Sequence, residues 1–358
     1  MVCNDRNVLN GGNMREQIHG GDIYRNPNVI DFSVNSNPLG PPKAVVDTIL
    51  NHAMDIVHYP DMECENLRKA IGLYEQISPS CVLCGNGAAE LFYAIAVALQ
   101  PKKALLLAPT FSEYEKALRV VKTQIQYEVL TKEQGFEVQE SILEKITPQT
   151  EIMFFCNPNN PTGLVTDSEL LRKIIFRCEE NQVVLVLDEC FLDFLDEAEK
   201  YDMKKFLSQC KYLLIVKAFT KIFCMPGLRL GYCMSENQEL LLKIRAVMQA
   251  WNVSVLAQLG GISALEHPEE YLANTRHFIE KERESMKSEF RKMGYQVYDS
   301  KANYVFFEGS KGLYEKALKA GFLIRDCRNY VGLEEGAYRI AIRTQEENER
   351  MITWLKQL

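Results

Sequence analysis

The feature that most constrains the fold is a set of short, wholly apolar runs at residues 104–108, 152–156, 183–187 and 212–216. Amphipathic stretches such as residues 168–180 separate them. A strand with no polar alternation must be covered on both faces, which is the situation of a mostly parallel sheet sandwiched between helices. Each run is far too short to span a membrane. Around these runs the pattern predicts helices at 65–77, 88–99, 113–121 and 168–180. Strands are expected at 81–84, 104–108, 125–130, 152–156 and 183–187. In such sheets ligands bind where the strands end at their carboxyl termini. The chemistry is therefore sought at Gly85, at Pro109-Thr110-Phe111, between Asn157 and Gly163, at Asp188 and at Lys221.

The character changes after about residue 245. A charged helix is expected at 269–293, stopped by Gly294 as a C-terminal cap. Strands at 295–298 and 304–308, a helix ending at Ala320, strands at 322–325 and 338–342, and a helix at 343–358 follow. Before the sheet, residues 19–40 are rich in Gly, Asn and Pro and read as an extended arm. Pro41-Pro42 opens a helix running to about Met54, and residues 1–17 read as a disordered tail. The division is an N-terminal arm at 1–44 packing with the small domain, a large domain at 45–245 and a small α/β domain at 246–358.

The 358 residues carry a net charge of −7. That balance argues against a nucleic-acid partner or an anionic membrane surface. An anionic substrate would have to be held by local arginines. No apolar run has the length of a membrane span, and the polar start of the chain holds no signal-peptide core, so a cytoplasmic protein is expected. The 11 cysteines are odd in number and scattered, as reduced buried thiols are. Cys81 and Cys84 have no second ligand pair at metal spacing, so no metal is expected.

Residues 212–216 lead into Lys217-Ala218-Phe219-Thr220-Lys221, and then Pro226-Gly227-Leu228-Arg229-Leu230-Gly231. A lysine taken out of water becomes a usable amine nucleophile. Pyridoxal phosphate needs such a lysine for covalent attachment, a cation near its phosphate and a carboxylate at its ring nitrogen. Asp188, at the end of an apolar run, could supply the carboxylate. Gly85-Asn86-Gly87-Ala88 leads from a strand into a helix, where backbone amides and the helix terminus favour an anion. Asn157-Pro158-Asn159-Asn160-Pro161-Thr162-Gly163 fixes a strand end and presents amide side chains. Each stretch taken alone is also compatible with a plain turn.

The ordered series Gly-Asn-Gly-Ala, Pro-Thr-Phe, Asn-Asn-Pro-Thr-Gly, Asp-Glu, Lys, Pro-Gly-Leu-Arg-Leu-Gly and Tyr-Arg-Ile resembles the fold-type I, pyridoxal-phosphate-dependent aminotransferase superfamily. The resemblance runs from His19 to the final helix and is strongest to the histidinol-phosphate aminotransferase branch. His19-Gly20-Gly21, residues 31–40 and residues 338–344 point further, to the threonine-phosphate decarboxylase group of cobalamin synthesis. The resemblance implies that Lys221 bonds the cofactor covalently and that Asp188 pairs with its ring nitrogen. Asn160 would contact the ring 3-oxygen, and Phe111 would stack on the ring. Gly87, Ala88, Thr220 and Arg229 would hold the phosphate, joined by Tyr59 from a neighbouring subunit, which implies a homodimer with a shared active site. Arg339 would bind the substrate carboxylate and Arg325 its phosphate, while His19, Gly20 and Asn35 close over it.

Two positions depart from the superfamily pattern: Phe191 stands where a tyrosine often donates to the ring, and Ala218 where a hydroxyl often stands. In aminotransferases the counterpart of Arg339 holds the carboxylate in a pose that favours proton loss. The expectation is nevertheless decarboxylation of L-threonine O-3-phosphate to aminopropanol phosphate. Transamination of histidinol phosphate or another amino acid is the alternative, and a non-catalytic protein of the same fold is a third reading.

Overall fold

In the computed structural model, which describes residues 19–358, the apolar runs become strands whose alternate residues enter two different cores. The strands at this centre are β2 (Val82–Gly85), β3 (Lys103–Ala108), β4 (Gln124–Val129), β5 (Ile152–Cys156), β6 (Val184–Asp188), β7 (Leu213–Ala218) and β8 (Gly231–Met234); the short β1 (Ile30–Asp31) precedes them. Leu105, Phe155, Leu187 and Ile215 pack into one core, and Leu106, Phe154, Val186 and Val216 into the other. This two-sided burial is what an all-apolar parallel strand requires. The tail expected at residues 1–17 lies outside the described residues.

The seven strands lie in the order β2-β8-β7-β6-β5-β3-β4. Only β8 runs against its neighbours, so β2, β3, β5, β6 and β7 all end at one edge of the sheet. β8, and the helices Gln238–Arg245 and Val255–Glu266, fall in segments for which the sequence pattern predicted no element.

A second sheet is built from β9 (Gln296–Val297), β10 (Tyr304–Glu308), β12 (Arg325–Asp326) and β13 (Ala337–Ala341), in the order β12-β13-β10-β9. The expected strand at 322–325 is in fact two. β11 (Phe322–Leu323) pairs in parallel with β1 of the arm, whereas β12 joins the second sheet. The chain bends at Ile324 to serve both, a break that a uniformly apolar run does not reveal. The helix Glu269–Lys292 buries Leu272, Ile279, Met286 and Phe290 at helical spacing, and it ends before Gly294, whose φ is +85°.

The arm is fastened rather than loose. Phe32 N–H donates to Leu323 O at 2.8 Å, and Ala341 N–H donates to Phe32 O at 2.8 Å. The buried Asn37 amide donates to Ile222 O at 2.9 Å and to Thr275 Oγ1 at 2.8 Å. These bonds hold residues 33–37 against both the second sheet and the turn that carries Lys221.

Candidate active site

At the edge where the parallel strands end lies a cavity of about 220 Å³. Every residue expected in the site lines it except Gly87 and Tyr59. β6 delivers Asp188, β7 leads into Thr220 and Lys221, the loop after β5 delivers Asn160, and the loop after β3 delivers Phe111. The arm contributes His19, Gly20 and Asn35, and the second sheet contributes Arg325 and Arg339.

The two lysines separate by strand alternation. Leu213 and Ile215 face the first core, so Lys217, two residues further along β7, faces the same side. There its Nζ meets Glu75 Oε1 at 3.0 Å, with Asp193 4.0 Å away. Burial opposes its charge, but Glu75 and Asp193 outweigh burial and hold it well above the ordinary lysine value. Lys221 lies past the strand end on the short helix Phe219–Ile222, and its Nζ makes no hydrogen bond or ion pair among the described residues. The side chain is partly buried in the cavity wall. Burial is the main cause that lowers its pKa to about 8; Arg339 and Arg229 add to this against Cys190 and Asp188. Only Lys221 is poised as an amine.

Asp188 is the one carboxylate among the residues lining the cavity. Burial raises its pKa, opposed by hydrogen bonds from Cys190 and Tyr114 and by the charge of Lys221. Cys190 N–H donates to Oδ1 at 2.9 Å and the buried Tyr114 hydroxyl donates to Oδ2. Sequence reasoning passed over Tyr114. The signal was its position three residues after Phe111, in the first turn of the helix that Phe111 precedes, and the two rings meet at 5.7 Å. Phe191 packs edge-on against Tyr304 at 5.2 Å and lies 5.9 Å below Lys221 Nζ, so an apolar ring occupies that wall.

The helix Gly87–Leu99 begins beside Arg229. Gly87 has a φ of +77°, which favours glycine, and its lack of a Cβ lets Arg229 Nη2 approach to 2.7 Å from where one would stand. Arg229 has no carboxylate partner among the described residues; its guanidinium donates to Pro226 O at 3.3 Å. A cation and the amide end of a helix thus converge near Thr220 and Ala88. In the Asn-Pro loop the amides divide their work. Asn159 turns inward to Pro109 O and Thr162 Oγ1, leaving Asn160 to the cavity.

Arg325 and Arg339 are register partners across β12 and β13, so both side chains leave the same face. Both are buried. Arg339 donates to Asn160 Oδ1 and, at 2.7 Å, to Ser33 O; Arg325 donates to Asn329 Oδ1 at 2.9 Å and lies 5.1 Å over the Tyr330 ring. Neither meets a carboxylate among the described residues. Arg339 Nε and Asn35 Oδ1 are buried without partners there. Ser33 and Tyr330, both in the cavity wall, were not singled out from the sequence.

Tyr59 is not brought to this cavity. It is 79% exposed and packs on Trp251, ring centroids 4.7 Å apart. No group of three or more potential metal ligands occurs among the described residues, and no helix there is long and apolar enough to cross a membrane.

The donor set fits pyridoxal phosphate: one unpaired amine, one buried carboxylate, and a guanidinium set against a helix start at the glycine of position 87. The family model described as aminotransferase class I and II matches residues 27–355. A threonine-phosphate decarboxylase of Salmonella typhimurium is 33% identical over 98% of this chain and 96% of its own. A histidinol-phosphate aminotransferase of Methanococcus aeolicus is 27% identical over 97% of this chain and 94% of its own. Among solved structures, the histidinol-phosphate aminotransferase from Clostridium acetobutylicum superposes with a TM-score of 0.85 at 28% identity, covering 91% of this chain and 98% of that one. The chain belongs to the class I and II aminotransferase family and is a pyridoxal-phosphate-dependent enzyme.

Proposed function

We propose that this enzyme decarboxylates L-threonine O-3-phosphate to aminopropanol phosphate, a reaction of cobalamin synthesis. The observation that carries the reading is the pairing of Arg325 with Arg339. Like charges directly opposite each other on a sheet are destabilising, and here both are buried without a carboxylate partner among the described residues. A ligand with two anionic ends satisfies them, and a phosphorylated amino acid has two such ends. The decarboxylase relative at 33% identity supports that choice of substrate and reaction.

In this reading Lys221 bonds the cofactor, Asp188 pairs with its ring nitrogen, and Asn160 and Phe111 fix the ring. The Gly87 and Ala88 amides, Thr220 and Arg229 hold its phosphate. Bound pyridoxal phosphate supplies an electron sink for the pair left when a bond at the substrate α-carbon breaks. Which bond breaks is decided by how the chain holds the substrate. Arg339, fixed by Asn160 and Ser33, takes the carboxylate; Arg325 takes the phosphate; His19, Gly20 and Asn35 cover both and exclude water. Phe191 and the other apolar walls keep the site's effective dielectric low, which strengthens each of these contacts.

The active form is a homodimer in this reading. Leu50, Met54, Ile56, Val57 and Tyr59 are exposed apolar side chains within ten residues of one another, and Tyr59 packs on Trp251; exposed apolar residues clustered in this way suit a protein interface. A second copy seated there would receive Tyr59 at its cofactor phosphate. The arm (1–44), large domain (45–245) and small domain (246–358) are proposed as the units, and the cytoplasm as the location, in keeping with ten free described cysteines.

A second reading, transamination of histidinol phosphate, is favoured by the superposition on the Clostridium acetobutylicum structure. Mass spectrometry of the product separates the two. O-phosphothreonine should yield aminopropanol phosphate; formation of the corresponding keto acid would favour transamination.

A further inference from the structure

His19, the arm residue at the mouth of the cavity, is seated on two groups of opposite character that meet at one ring atom. Its Nε2 lies 2.8 Å from Glu113 Oε1 and 2.8 Å from Lys116 Nζ. Lys116 Nζ is itself 2.6 Å from the same Glu113 oxygen. Both residues belong to the helix Ser112–Val120, which starts directly after Phe111. Glu113 is further held by the Tyr93 hydroxyl, which donates to its Oε2 at 3.2 Å. His19 also lies edge-on to Phe111, at 6.4 Å between ring centroids.

The chemistry of the three groups gives this arrangement a specific property. An ammonium can only donate and a carboxylate can only accept, whereas an imidazole nitrogen does either, depending on its protonation. When Nε2 is bare it accepts from Lys116. When the ring is cationic, Nε2–H donates to Glu113. The other charged groups around His19 do not duplicate this. Arg325 is in the wall of both cavities that His19 lines; Lys221, Asp188, Arg229 and Arg339 line the one described above, and Asp22, Glu315, Asp326, Arg328, Glu334 and Glu335 line a second, larger one. Burial opposes ionisation of Glu113, but hydrogen bonds from His19 and Lys116 outweigh it and bring its pKa to about 2, so it stays an anion wherever histidine titrates.

We infer that Glu113 and Lys116 are positioning residues which keep His19, and with it the first residues of the arm, docked over the cavity in either protonation state of the ring. The significance for substrate binding rests on the reading of His19 as a group that covers the substrate; the docking itself does not. One ring nitrogen, Nδ1, remains for a substrate oxygen whichever neighbour holds Nε2. The arm would then close the site equally well across the pH range in which a lone histidine loses its charge.

The test is amide hydrogen exchange of residues 19–26, the part of the arm before the β1–β11 pairing, in the cofactor-loaded enzyme between about pH 5.5 and 8, corrected for the intrinsic pH dependence of exchange. Wild-type protection should be constant. In Lys116→Met only Glu113 remains, so protection should fall about tenfold as pH rises and the ring loses its charge. In Glu113→Leu, which removes the acceptor as well as the charge, only the cation remains, so protection should fall as pH drops. Opposite slopes for the two variants establish the clamp. Slopes of the same sign, or exchange unchanged in either variant, would overturn it. Should Glu113→Leu not fold, Lys116→Met decides alone: a fall with rising pH supports the clamp and a flat profile rejects it. The KM for O-phosphothreonine should follow the same pH trends with kcat little changed. If exchange shows the slopes and KM does not, the clamp stands and the substrate role of His19 fails.

Discussion

Glu75 and Lys217 form a buried ion pair, 3.0 Å from Oε1 to Nζ, on the side of β7 away from the cavity. Lys204 and the Tyr232 hydroxyl complete the shell of Glu75. Four residues further on, Lys221 has no such partner among the described residues, and this contrast separates a structural cation from a reactive one.

Removing one member of the pair should be costly. Glu75→Gln leaves the Lys217 ammonium buried beside Asp193 alone, and a loss of roughly 3–5 kcal/mol is expected in denaturant unfolding. Burial works against ionisation of Glu75, but Lys217 and Lys204 outweigh it and bring its pKa down to about 2 from 4.5. A depressed carboxylate stabilises the fold fully above its unfolded pKa, and that contribution disappears as pH falls toward the folded one. The stability gap between wild type and Glu75→Gln should therefore shrink between pH 4.5 and 2. A gap independent of pH would show that the ionised carboxylate is not what stabilises.

Covalent loading should report Lys221. Borohydride reduction of the cofactor-loaded enzyme followed by peptide mapping should label Lys221 and leave Lys217 unlabelled. Because attack needs the neutral amine, the rate of loading cofactor-free protein should rise with pH and level off near 8. A rise continuing to the ordinary lysine range near 10.5 would mean that the amine is not desolvated in solution.

The two guanidiniums should divide the substrate between them. Arg325→Ala should weaken binding of phosphorylated amino acids by roughly 2–5 kcal/mol and affect unphosphorylated analogues much less. Equal losses for both classes would remove the phosphate from Arg325.

Much of this was legible in the chain because two signals coincided. Apolar runs at 152–156 and 183–187 mark parallel strands, and polar residues at the end of such a strand or in the loop after it fall at the ligand edge of the sheet, as Asp188 and Asn160 do. What was not legible depends on packing between distant segments. The helix Val255–Glu266 carries Gly260 and Gly261, which read as helix breakers. Here a Cβ on Gly261 would lie 2.5 Å from Leu230, so the glycine marks close approach rather than a turn. The division between Asn159 and Asn160 depends on whether each amide meets Pro109 or the cavity, and the pairing of Glu75 with Lys217 spans 142 residues. The bend at Ile324, which parts β11 from β12, serves two sheets at once and leaves no local trace.

The most direct test of the central claim uses O-phospho-L-threonine labelled in its carboxyl carbon. With the cofactor-loaded enzyme and no keto acid present, labelled carbon dioxide should be released over many turnovers, matched by an equal amount of aminopropanol phosphate. If turnover instead requires 2-oxoglutarate and no labelled carbon dioxide appears, the enzyme is an aminotransferase and the decarboxylase assignment is contradicted.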